Sequence, residues 1–135
     1  MEARELRMGN LIYYNCLFYP KEIVEITPLF FASLVNSRGY EEKKKDMVLN
    51  GYFQPIPLTP EWLERGGFSK VNERSYKLMH FGKFIFLGSM GLTFRPAGQL
   101  DKILRQDNIQ HVHTLQNMVY YIVGTELEFK EIPVV

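Results

Sequence analysis

QHVHTLQNMVYYIVGTEL, residues 110–127, carries apolar side chains at Val112, Leu115, Val119 and Ile122. Three- and four-residue spacing puts them on one face of an α-helix, and Gly124 stops it. His113, Gln116, Asn117 and Tyr120 recur at the same spacing on another face. That face carries an imidazole, two carboxamides and a phenol, and no formal charge at neutral pH. Solvated helix faces usually carry Lys and Glu, so these four residues form a candidate partner-binding stripe. Amides at a helix–sheet seam also bond strand edges and loop backbone, which gives the stripe an architectural reading. A helix with an apolar face needs a layer to cover, and the chain before it supplies strands.

The clearest local signal upstream is PIPLTPEWL, Pro55 to Leu63. Thr59 reads as an N-cap and Pro60 as the first helical residue, where its missing N–H costs nothing. Glu61 suits the positive end of the helix dipole, Leu58 and Leu63 hold staple positions, and Gly66-Gly67 ends the helix. This two-turn helix marks a boundary between lobes at residues 1–57 and 58–135, which could form one domain.

The first lobe reads as β-structure. LIYYNCLFY follows the turn signal Gly9-Asn10, Glu22 to Ile26 alternates polar and apolar, and LFFASLV after Pro28 reads as a further strand. Asn36 to Asp46, with the charge run EEKKKD, reads as a solvated loop, and Met47 to Pro57 as an extended segment. Short strands with tight turns imply a small SH3-like barrel or curled sheet. In the second lobe Ser75 to Phe81, Lys83 to Leu87 and Leu92 to Arg95 form an antiparallel meander punctuated by glycines. Pro96 to Gln110 reads as irregular, with an apolar island at Ile103-Leu104, and Leu127 to Ile132 as a last strand. The fold class is α+β, with the meander packed by the helix of residues 110–123.

At 135 residues, 46% hydrophobic and 14% aromatic, the chain can bury an ordinary core. Sixteen basic against fifteen acidic residues give a net charge of +1, which disfavours broad electrostatic capture of nucleic acid. Cys16 is the only cysteine, which rules out an intramolecular disulfide and fits a reducing compartment. The start lacks a signal-peptide profile and no apolar run approaches bilayer length, so a cytoplasmic protein without membrane contact is expected.

Three blocks, ELRMGN at Glu5–Asn10, PIPLTPEWL at Pro55–Leu63 and VHTLQNMVYYIVGTEL at Val112–Leu127, together resemble a family of short proteins from Bacteroidetes genomes, phages and mobile elements. Its members read ELRIGN, PIPLTEEWL, then VHQLQNLY and TGEEL. The resemblance implies a bacterial or phage origin and carries no activity, cofactor or site residue with it.

Catalytic signatures are sparse. His80, His111, His113 and Cys16 are the possible soft metal ligands, without a signature spacing, so no metal or cofactor is expected. Cys16 in an apolar strand reads as an inert thiol. Tyr76, Lys77, Lys83, Phe84, Phe86, Phe94 and Arg95 could instead form a base-stacking face for single-stranded nucleic acid. The expectation is a non-enzymatic accessory protein that contacts a protein partner or itself. A single-stranded nucleic-acid binder is the alternative, and a small metal-dependent hydrolase comes third.

Overall fold

A computed structural model of the chain describes residues 1–16, 19–28, 30, 39–73, 75–80, 83–88, 91–95, 102–105 and 109–132. These residues form an α+β fold with two antiparallel sheets. They belong to two compact units. The first takes in Met1–Pro57 and His111–Asn117; the second takes in Leu58–Gln110 and Met118–Ile132. Among the described residues no helix is long and apolar enough to cross a membrane.

In the first unit, β-branched and aromatic residues build β1 (Leu11–Cys16) and β2 (Tyr19–Glu25). The two pair antiparallel with Ile12 opposite Val24, and the register shifts between Tyr14 and Cys16. On the other side of β1 lies β3 (Phe53–Gln54), giving the order β2-β1-β3. Among the described residues this sheet does not close into a barrel. Leu6, Ile12, Val24, Ile26 and Phe53 form the buried core, with Tyr14, Phe30, Met47 and Val48 packed against it. The doublet Tyr13-Tyr14 splits across the strand, as alternation requires. Tyr14 meets Phe30 edge-on at 5.4 Å, while Tyr13 lies under the Lys21 ammonium at 4.1 Å.

Two sequence expectations in this unit need correction. The charge run does not form a loop: Tyr40–Leu49 is a helix, α1. Its only cluster of apolar residues sits at the C-terminal end, so no stripe announces it. Glu and Lys are nevertheless good helix formers, and Glu41 precedes Lys45 by four residues, the favourable order for an ion pair. Lys44 from this run is buried and donates from Nζ to the Leu6 carbonyl at 2.9 Å. The strand expected at LFFASLV is overturned at Phe30. Pro28 and Phe30 have helical backbone, and the Phe30 N–H donates to Thr27 Oγ1 at 3.1 Å. Residues 29 and 31–35 of that expectation lie outside the described residues.

In the second unit α2 (Pro60–Arg65) starts as its sequence requires, with Thr59 Oγ1 accepting the Trp62 N–H at 3.4 Å. Trp62 and Leu63 are buried, and Trp62 meets Phe129 edge-on with ring centroids 5.2 Å apart. Gly66 caps the helix beneath the same ring: a Cβ there would stand 2.9 Å from Phe129. The sheet runs β4 (Ser69–Asn72), β5 (Ser75–His80), β6 (Lys83–Gly88), β7 (Gly91–Arg95) and β8 (Lys102–Arg105) in sequence order, every pair antiparallel. The segment read as irregular therefore contributes an edge strand around its apolar island, with Thr93 opposite Ile103. The last strand is overturned too. Leu127 to Ile132 is not a strand, because its backbone bonds go to a helix end: the Lys130 N–H donates to the Arg65 carbonyl at 2.9 Å, and Arg65 Nη1 donates to the Glu131 carbonyl at 2.7 Å. Helix α3 spans Val112–Val123 and stops at Gly124, whose φ of 80° suits glycine.

Candidate functional site

The ELRMGN block folds into a tight polar loop. Ala3–Glu5 forms a 3-10 turn, after which Gly9 takes a left-handed φ of 94° and its N–H reaches the Ile26 carbonyl at 2.8 Å. Asn10 is fully buried, and its Oδ1 accepts the Arg7 N–H at 2.7 Å. Short polar side chains favour such local backbone bonds, which is why Asn suits this turn. The Glu5 and Gly9 carbonyls and the Leu11 N–H of this region take side-chain partners.

The amide face of α3 takes up these groups. Gln116, 2% exposed, accepts the Leu11 N–H at 2.8 Å and donates to the Gly9 carbonyl at 3.1 Å. Asn117 Oδ1 accepts from Asn10 Nδ2 at 2.7 Å and from Arg7 Nε at 3.1 Å, while its Nδ2 donates to the Glu5 carbonyl at 2.7 Å. His113 Nε2 stands 3.4 Å from Glu5 Oε1. Two blocks more than a hundred residues apart thus become one hydrogen-bonded cluster inside the first unit. Asn10, Arg7 and Glu5 were not singled out as site residues; the Gly9-Asn10 turn signal was the one local hint of their role.

Burial pushes the His113 imidazole below its ordinary value, and the Glu5 carboxylate opposes that only in part. With hydrogen on Nε2, Nδ1 keeps a buried lone pair that has no partner among the described residues. The His111 ring stacks on His113 with centroids 5.7 Å apart and planes 11° off parallel. Burial raises the Glu5 carboxyl, but bonds from the Glu2 N–H and His113 outweigh it, and the net shift is downward. An imidazole–carboxylate pair of this kind can orient or move a proton. Among the described residues no group of three or more His, Cys, Asp or Glu could hold a metal ion.

Tyr120, the fourth stripe residue, is 42% exposed, and its neighbour Tyr121 is 83% exposed. Both belong to the part of α3 assigned to the second unit. The seven positions of the base-stacking set fall on strands β5, β6 and β7, and their register divides them. Lys77 pairs with Phe86, and Phe84 with Arg95, so positions 77, 84, 86 and 95 alternate together. Tyr76, Lys83 and Phe94 occupy the opposite parity. Comparisons with protein-family models, curated proteins and solved structures found no match.

Proposed function

We propose that this chain is a non-enzymatic accessory protein that contacts a protein partner, or a second copy of itself, through the C-terminal end of α3. The carrying observation is Tyr121, 83% exposed beside the half-exposed Tyr120. Tyrosine presents a large amphipathic area at a small entropy cost and is enriched where proteins meet. His113, Gln116 and Asn117 bond to the chain's own Glu5–Leu11 loop, so the contact surface contracts to the tyrosine end of the stripe. The first unit, SH3-like in size, acts as scaffold. The block resemblance favours a phage or mobile element as the setting.

A second reading has one observation in its favour. Positions 77, 84, 86 and 95 bring two phenylalanines and two bases to neighbouring register positions of one sheet, a pattern that suits stacking on single-stranded nucleic acid. Against it stands a net charge of +1.

The experiment places the photo-crosslinker p-benzoylphenylalanine at Tyr121 in the native host, with Leu49, 84% exposed on α1, as the control position. The expected result is a discrete, nuclease-resistant protein adduct from position 121 that is absent from position 49. Identical adduct patterns from both positions would overturn the reading. An adduct removed by nuclease would transfer it to nucleic acid.

A further inference from the structure

Among the described residues one buried side-chain nitrogen lacks a hydrogen-bond partner, His113 Nδ1. A carboxylate only accepts, so the contact of His113 Nε2 with Glu5 Oε1 at 3.4 Å places the ring hydrogen on Nε2. A further proton must therefore go to Nδ1, where solvent does not reach it and no acceptor stands. Burial opposes a charge there, as do the stacked His111 ring and the Met1 amine, while the Glu5 carboxylate favours it. The Arg7 guanidinium stands one turn further along α3, on Asn117 Oδ1.

We propose that the Glu5–Gly9 loop is an acid-released latch: protonation of His113 parts it from α3 and bares the Gln116 and Asn117 amides, while the sheet β2-β1-β3 stays paired. Hydrating Nδ1 requires one side of the His113 surroundings to move. Lifting the start of α3 would expose Val112 and Leu115, both fully buried. Residues 1–10 carry one buried apolar side chain, Leu6, and hold to α3 through polar bonds that water replaces at small net cost. The loop is therefore the part that moves. Ile12, Val24, Ile26 and Phe53 keep their apolar contacts beneath it, which holds the strands together. Release takes the Gly9 carbonyl from Gln116 and the Glu5 carbonyl from Asn117. The latch belongs to the first unit and does not depend on the tyrosine contact.

In the open form His113 titrates at the ordinary 6.5, so opening is independent of pH above that value and grows below it. Between pH 7.5 and pH 5.5 the open fraction rises by up to about tenfold. Glu5, held below 4.5, stays ionised across this window. The test is hydrogen exchange of the full chain followed by NMR, each rate compared with the unstructured-peptide rate at the same pH. Protection of the Gly9 N–H, bonded to the Ile26 carbonyl, and of the Arg7 N–H, bonded to Asn10 Oδ1, should fall by up to that factor. Protection of the Asn15 N–H, bonded to the Tyr52 carbonyl, should hold. His111→Gln should keep the fall and His113→Gln should abolish it. Unchanged protection at Gly9, an equal fall at Asn15, or a fall abolished by His111→Gln each overturn the latch. Where His113→Gln does not fold, the ring signals of His113 in the wild type decide. Protonation in step with lost Gly9 protection upholds the latch; an imidazolium formed with Gly9 fully protected overturns it.

Discussion

His113 is held neutral in a place that water does not reach, at the start of a helix whose dipole opposes a positive charge. Its native proton affinity lies below the ordinary value of 6.5, so the unfolded chain binds more protons as the pH drops past that value. The stability it contributes is therefore present above about pH 6.5 and is lost on acidification. Glu5 has the same sign further down: its lowered native value gives stability above the ordinary carboxylate value of 4.5 that disappears as the pH falls through the native one. Urea denaturation at pH 7.5 and pH 5.5 should show the first unit weaker at the lower pH. His113→Gln, which keeps a donor for Glu5, should flatten that difference even where its stability is lower overall. An unchanged slope in the variant would assign the acid sensitivity elsewhere. Residue-scale signals were legible unevenly. Thr59-Pro60 announces a capped helix, whereas the same pair at Thr27-Pro28 is followed by Leu-Phe-Phe, which reads as a strand. Each cap stabilises its helix start by about 1 kcal/mol.

At the scale of the element, α3 was visible from its apolar spacing alone, and its amide face was visible as unusual. What the amides bond was not, because three of the five bonds go to backbone groups of a loop more than a hundred residues away, and backbone groups leave no mark in a sequence. Helix α1 was hidden for a different reason: its side chains are charged nearly all round, and Lys44 is buried with its ammonium on the Leu6 carbonyl rather than as part of an apolar stripe. Strand β8 was hidden by its brevity, four residues with two apolar ones. The roles along α3 can be separated by substitution. Gln116→Ala strips the buried Leu11 N–H and the Gly9 carbonyl of their partner and should cost about 2–4 kcal/mol in chemical denaturation. Tyr121→Ser, at a surface position, should stay within about 0.5 kcal/mol of the wild type. A Gln116 variant as stable as the wild type would show that the amide is dispensable to the loop.

The whole molecule is not assembled in chain order. The first unit takes His111–Asn117 from the far side of the second unit's sheet strands in sequence. Val112 N–H donates to the Ile56 carbonyl at 2.9 Å, and Pro57 forms an isolated bridge with His111, so the return of the chain is stitched at the backbone level as well. A fragment ending at Pro57 would keep β1, β2 and β3 but leave the Leu11 N–H and the Glu5 and Gly9 carbonyls without the side chains that satisfy them. Its far-ultraviolet circular dichroism should be that of an unfolded chain, with native spectrum regained only when residues 111–117 are supplied by the intact protein. A cooperatively melting fragment would show that the three-stranded sheet suffices.

The return of α3 to the N-terminal loop also sets a clock on synthesis. Ribosomes add about 5–20 residues per second, so some 3–12 seconds separate the emergence of Pro57 from that of Asn117. Throughout that interval the nascent N-terminal segment, residues 1–57, is aromatic and strand-rich, and its loop still awaits its helix. The outer edges of β2 and β3 in the sheet of described residues are then open to wrong neighbours, which makes crowding on polysomes a hazard for this chain. A synonymous slowdown of translation between residues 58 and 117 should therefore lower its soluble yield, although no amino acid has changed.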